Sequence, residues 1–437
     1  MNQISPLANL KCMDTKSPNS DTNHDRNRDF MDDASAVLAG LQDAFANVIN
    51  ALPEDFAHAN ELSKTLGVSN KLAWQIRRLV YETDPLAAVQ YIPGHSSIRK
   101  FLHAVAALRV QHELIASAEQ AIREFERLVR THADSREAFD ILAAGCASRM
   151  VERKHLDYRK ASFTGNSFSW GVHARIQLVT AFVFPSPDDA RISTVSVRGF
   201  CEFRRLRPSL SWPIQTARLV DEGGKVQPTL KREPLEPQDG ADRVAEVPLF
   251  PSFCTRPTPE VRRVFPPDGS VRDELVAGDV GKTGTVDCLI GEIVHGLGPR
   301  YACGESREWG VGAHVRTPCE ALLIDQFIHR DLFGPVTPKL SVFNDVLAPN
   351  AALPPAMRVA DQLPVFEAVQ SLGRGLRNVR VPEFPRYGEL VDFVLQRMNW
   401  KAEQFDGYRV RIEYPPVPMS AMMHCDKPPP PPGAEQQ

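Results

Sequence analysis

The chain has 437 residues, enough for two or three domains with separate cores. Its composition is that of an ordinary globular protein, 43% hydrophobic and 24% charged, with no excess of disorder-promoting or collagen-like residues. The formal net charge of −3 provides no global attraction to nucleic acid or an anionic membrane, so either function requires a local patch.

Residues 1–31 are rich in Asn, Asp, Ser and Lys and read as a disordered tail. They lack the charged n-region and apolar core of a secretory signal. From Asp32, apolar residues recur at spacings of three and four (Val37, Leu38, Leu41, Phe45, Val48, Ile49), which predicts a helix ending near Leu52-Pro53. The stretch Ala59–Arg78, ANELSKTLGVSNKLAWQIRR, reads as helix, three-residue turn and helix. Gly67 sits where the turn needs a left-handed backbone, Val68 plugs the corner, and Ser69 is placed to cap the second helix.

After the Ile92-Pro93-Gly94 turn, a helix capped by Ser96 or Ser97 is expected through Val110. Another is expected over 111–132, and a third from Asp134 or Ser135 to about Ala147. Residues 32–150 therefore read as an all-helical domain. They hold twelve Lys and Arg against fifteen Asp and Glu.

The pattern then shifts to alternating, β-branched segments. Strands are expected at 174–185, 190–206, 285–294, 313–316, 319–328 and 408–414, with a polar surface loop at 221–247 and one late helix at 386–399. Thirty-six prolines argue for short strands with irregular connections and against a doubly wound α/β sheet. The fold class expected is α+β: an N-terminal helical domain, a larger β-rich domain over 151–420 of unassigned role, and a Pro-rich disordered tail over 421–437. No internal repeat is present.

Residues 59–78 resemble the helix–turn–helix of bacterial transcriptional regulators. On that pattern Leu62, Leu66 and Ile76 are core positions, Gly67 is the turn glycine and Val68 the buried turn residue. Ser63 stands where the family has alanine, and Ala73 where it has valine or isoleucine; Leu72 is available to restore the packing. The resemblance implies that the second helix lies in a DNA major groove. Its outward positions would then be Ser69, Asn70, Lys71, Trp74, Gln75 and Arg78, whose amides and cations suit base edges and phosphates. Residues 60–80 carry four cations against one anion, Glu61. Trp74 fits either a sugar or thymine-methyl contact, or burial under another helix. The alternative is a helical bundle that binds a partner protein through the same face.

Other constellations are weaker. Arg149, Arg153, Lys154, Arg159 and Lys160, followed by Phe163, Phe168 and Trp170, form a basic and aromatic run. Its simpler account is an exposed helix end whose aromatics enter the core. Arg198, Arg204, Arg205 and Arg207 read as a solvated sheet face. His329-Arg330-Asp331 imitates a kinase catalytic loop, but Val336 occupies the position of the magnesium-binding asparagine. Cys288, His295, Cys303, His314 and Cys319 match no structural zinc spacing. No GxxxxGK[ST], HExxH or GxSxG motif occurs. The eight cysteines form no CxxC and read as reduced thiols. No run approaches the ~18 apolar residues of a membrane helix. The expectation is a cytoplasmic, non-enzymatic regulator without metal or cofactor, binding double-stranded DNA and open to homo-oligomerisation.

Overall fold

The computed structural model describes residues 20–52, 58–147, 152–187, 190–208, 210–217, 231–237, 247–266, 271–304, 306–346, 358–364, 366–376 and 379–431. The chain divides between His155 and Leu156 into two units. The fold is α+β, a helical region followed by a larger β-rich region with a late helix.

The first unit contains α1 (Ser20–Asn50), α2 (Ala59–Leu66), α3 (Asn70–Tyr81), α4 (Pro85–Ala88), α5 (His95–Ala107), α6 (His112–His132) and α7 (Arg136–Cys146). Leu38, Leu41, Phe45 and Val48 of α1 are fully buried, as the three-four spacing requires, and meet Phe101, Phe125 and Phe139 in one core. Two boundaries differ from expectation. The first helix begins at Ser20 and so includes residues assigned to the disordered tail, whose remainder, 1–19, lies outside the described residues. The helix after Ile92 starts two or three residues earlier and ends at Ala107; Gly94 stands at its N-cap without a side-chain bond, so neither serine caps it. Ser135 does cap α7, accepting from the Ala138 amide.

The helix α8 (Glu152–Trp170), most of which belongs to the second unit, continues beyond the expected helix end and leaves Phe168 and Trp170 exposed. Arg159 ties it down, donating to the carbonyls of Glu413 and Tyr414 and pairing with Glu367. Strands β1 (Val172–Pro185), β2 (Arg191–Arg205), β3 (Trp212–Ala217), β4 (Arg232–Pro234), β5 (Val261–Val264), β6 (Val271–Leu275), β7 (Val286–Pro299), β8 (Glu308–Val315) and β9 (Cys319–His329) follow. After the short α9 (Arg330–Phe333) come β10 (Lys339–Asn344), β11 (Gln362–Leu363), β12 (Gln370–Arg374), α10 (Tyr387–Arg397), β13 (Phe405–Glu413) and β14 (Met419–Asp426). Three of these strands run 14 or 15 residues, longer than the proline content suggested. Pro185 and Pro299 fall at strand ends, where a missing N–H does no harm. The strand β14 covers 419–426, so the expected Pro-rich tail is ordered at its start. Most of the expected 221–247 loop lies outside the described residues.

The main sheet has the order β12-β13-β9-β1-β2-β7-β4, with β1 and β9 parallel and the other neighbours antiparallel. A second sheet runs β11-β10-β14-β8 and a third β3-β6-β5. Alternation along β1 sends Val179, Ala181 and Val183 into a core shared with Val311, Met419, Ala421 and Met423 of the second sheet. Ile176, Leu178 and Phe182 enter another core, with Tyr387, Leu390, Val391 and Val394 of α10. The unit is thus layered: small sheet, large sheet, helix.

One buried polar row crosses the large sheet. Asp325 lies in register with Thr180 on one side and Arg409 on the other. Arg409 grips it through two N–H···O bonds of 2.8 and 2.7 Å. Tyr387 descends from α10 to donate to Asp325 at 2.6 Å and meets the Thr180 hydroxyl at 2.9 Å. Burial, then the Asp325 charge, pushes the Tyr387 phenol well up, so it stays a donor. Tyr387→Phe should cost about 1–3 kcal/mol. Asp325→Ala strands a buried cation and should cost more, about 3–5 kcal/mol. Urea unfolding of the two variants tests this ranking.

Candidate nucleic-acid interface

The resemblance to a helix–turn–helix rests on a corner whose bonds are made locally. In α2, Leu62 and Leu66 are buried, and the Glu61 carboxylate accepts from the His58 amide at the helix start. Gly67 ends α2 at φ 63°, ψ 26°, the left-handed geometry that glycine adopts without strain. Its N–H and that of Val68 bond back to the Lys64 and Ser63 carbonyls. The Ser63 hydroxyl adds a 2.7 Å bond to the Val68 carbonyl. The serine at the family's alanine position therefore braces the turn.

Ser69 caps α3 by accepting from the Leu72 amide at 3.3 Å. Leu72, Ala73, Ile76 and Leu79 form the buried face. Ala73 is fully buried beside Leu72, so its small volume is packed over. The far end of α3 is held by Gln42 of α1, whose side-chain amide donates to the carbonyls of Leu79 at 2.9 Å and Glu82 at 2.7 Å. Carbonyls at a helix end have no partner within the helix, so α1 fixes where α3 ends.

Ser69, Asn70, Lys71, Trp74 and Arg78 are exposed along the opposite face of α3. Gln75 is not with them; it is half-buried. Trp74 is 48% exposed, not packed under another helix, and meets Tyr91 edge-on with ring centroids 5.6 Å apart. Arg78 lies over the other part of that ring at 4.8 Å and donates to its hydroxyl at 2.8 Å. Glu82 is 3.5 Å from Arg78, so this arginine is partly engaged within the chain. Two adjoining open hollows flank Trp74. One, of about 540 Å³, runs from His58 and Asn60 to Asn70 and Lys71. The other, of about 310 Å³, is bounded by Arg77, Arg78 and Tyr81.

The remaining sequence candidates resolve into structure. Arg204 pairs with Glu202, Arg205 bonds the Leu210 and Val276 carbonyls, and Arg207 bonds that of Phe168. The arginine cluster therefore holds loops together and is not a solvated face. His329 caps α9, its ring nitrogen accepting from the Asp331 amide. Cys288 and Cys319 are buried, and burial pushes the Cys319 thiol to about 12. His314 bonds Asp345 at 2.9 Å. Among the described residues no three His, Cys, Asp or Glu side chains are placed to hold a metal, and no helix is long and apolar enough to cross a membrane. Comparison with protein-family models, curated proteins and solved structures finds no match in any of the three.

A Cβ at Gly67 meets nothing within 4 Å, so substitution there tests the backbone alone. Gly67→Ala should destabilise the helical unit by about 1–2 kcal/mol and Gly67→Asn by less, since asparagine tolerates left-handed geometry. Chemical unfolding followed by helical circular dichroism is the measurement; equal stability of all three proteins would show that the turn does not need that conformation.

Proposed function

We propose that the helical unit docks on duplex DNA as a transcriptional regulator does, with α3 in the major groove. The observation that carries this reading is a helix capped at its start, anchored at its end, and exposing Asn70, Lys71, Trp74 and Arg78 on one side. Such a helix presents a rigid row of donors to a groove of matching width. Asn70 suits an adenine edge. Lys71 suits a phosphate or guanine. Trp74 offers apolar surface to a sugar or thymine methyl. Ser69 retains a hydroxyl donor at the helix tip, where the partial positive charge of the helix also favours phosphate. The β-rich unit then serves ligand sensing or oligomerisation.

A second reading has its own support. Trp74 at 48% and Tyr81 at 60% exposure, with Arg77 over the Tyr81 ring, are the residue types that dominate protein–protein hot spots. On that reading the face binds a partner protein and needs no DNA.

The two differ in their salt dependence. Recovery of cross-linked genomic DNA should yield an enriched motif, to which the full-length protein binds. Lys71→Ala with Arg78→Ala should weaken that binding, and the slope of log K against log salt should become shallower by about 0.9 for each phosphate no longer neutralised. The helical unit should stay folded, with a loss of about 1 kcal/mol because Arg78→Ala gives up the bonds to Tyr91 and Glu82. Absence of an enriched motif, or binding unchanged in the double variant, excludes this ridge as the docking surface.

A further inference from the structure

The second sheet of the β-rich unit carries a serine, a histidine and a glutamate in relay on three adjacent strands. Ser341 is on β10, His424 on β14 and Glu308 on β8. The Ser341 hydroxyl lies 2.9 Å from His424 Nε2. The other ring nitrogen, Nδ1, lies 3.3 Å from the Glu308 carboxylate, at an angle that leaves it short of a formed hydrogen bond. Such looseness is common in catalytic groups before substrate binds.

Register places these residues on one face. Ser341 pairs with Met422 and Lys339 with His424 across β10 and β14, and His424 pairs with Gly310 across β14 and β8. The face is the one turned away from the large sheet, because Val342, Ala421, Met423 and Val311 point into the shared core. Gly310 is required there: a Cβ would stand 3.0 Å from both His424 Cβ and Met422 Cγ. Ser341 and His424 are only 8% and 6% exposed, whereas Glu308 is half-buried and Lys339 is exposed. The reacting pair is shielded from bulk water, and of these four side chains Glu308 and Lys339 are the ones that reach solvent.

We propose that Ser341 is a nucleophile, activated by His424 and Glu308, toward small carboxylic esters. Its Oγ bonds to the ester carbonyl carbon while His424 Nε2 takes the hydroxyl proton. The carbon–oxygen bond to the alcohol then breaks, and that proton leaves with the alcohol. Water, deprotonated by the same nitrogen, releases the acid and restores the serine. Glu308 orients the ring and balances its transient charge. Lys339 supplies a cation on the same face for the oxyanion. This activity is independent of the helical unit and of DNA.

The test is covalent labelling of the full-length protein with a biotinylated fluorophosphonate, in which the serine oxygen displaces fluoride from phosphorus. One adduct per chain is expected, mapped by mass spectrometry to Ser341 and absent from Ser341→Ala. His424→Gln should slow labelling about a hundredfold or more. Glu308→Gln, a near-isosteric change at a half-buried position, should slow it at least about tenfold while the circular dichroism spectrum stays that of the wild type. An unlabelled wild type, an adduct on another residue, or an unchanged rate in Glu308→Gln overturns the proposal.

Discussion

The parallel contact of β1 with β9 dictates the build of the larger unit. Both strands are buried along almost their whole length, on both faces. A strand in that position needs apolar cover above and below, and two such strands side by side double the area to be covered. The second sheet supplies one cover and α10 the other. The charge this pair brings to the centre of the layer is Asp325, and it is matched by a two-pronged arginine, a tyrosine and a neighbouring threonine. The attachment of α10 is therefore directional as well as greasy: its apolar stripe favours the sheet, and Tyr387 selects the place along it.

The helical unit solves a smaller problem by different means. A surface helix that must keep one face free has fewer neighbours to hold it. Here α3 is secured at its ends as well as along its buried side, by Ser69 at the start and by Gln42 reaching from α1 at the finish. The exposed row is stiffened from beneath by Tyr91, which touches both Trp74 and Arg78. Stiffness of this kind on an exposed face lowers the entropy cost of the docking proposed above.

How much of this is legible in the sequence follows from what each feature depends on. The helix, turn and helix over 59–81 depend on neighbours in sequence: Gly67, Val68, Ser69 and the spacing of Leu62, Leu66 and Ile76 mark the turn and both helices, though α3 runs three residues past the expected Arg78. The long strands β1, β2, β7 and β9 show in runs of β-branched residues. The half-burial of Gln75 is not legible, because it depends on the packing around α3 and not on its own period. The short strands β3, β5, β6, β10 and β12 escape notice because four to six residues hold too few alternations to stand out. The extension of α8 to Trp170 escapes it too, because its apolar residues occupy no single face. The side chains around Asp325 and around His424 come together from distant segments, so only register unites them.

The position of β14 in the second sheet carries a consequence for biosynthesis. It lies between β10 and β8, which pair with it and not with each other. A ribosome delivers β8 and β10 well before residues 419–426, so through that interval both wait with unmatched edges. Nascent chains in this condition are targets for holding chaperones, and their vulnerability ends only when one late segment slots into the gap.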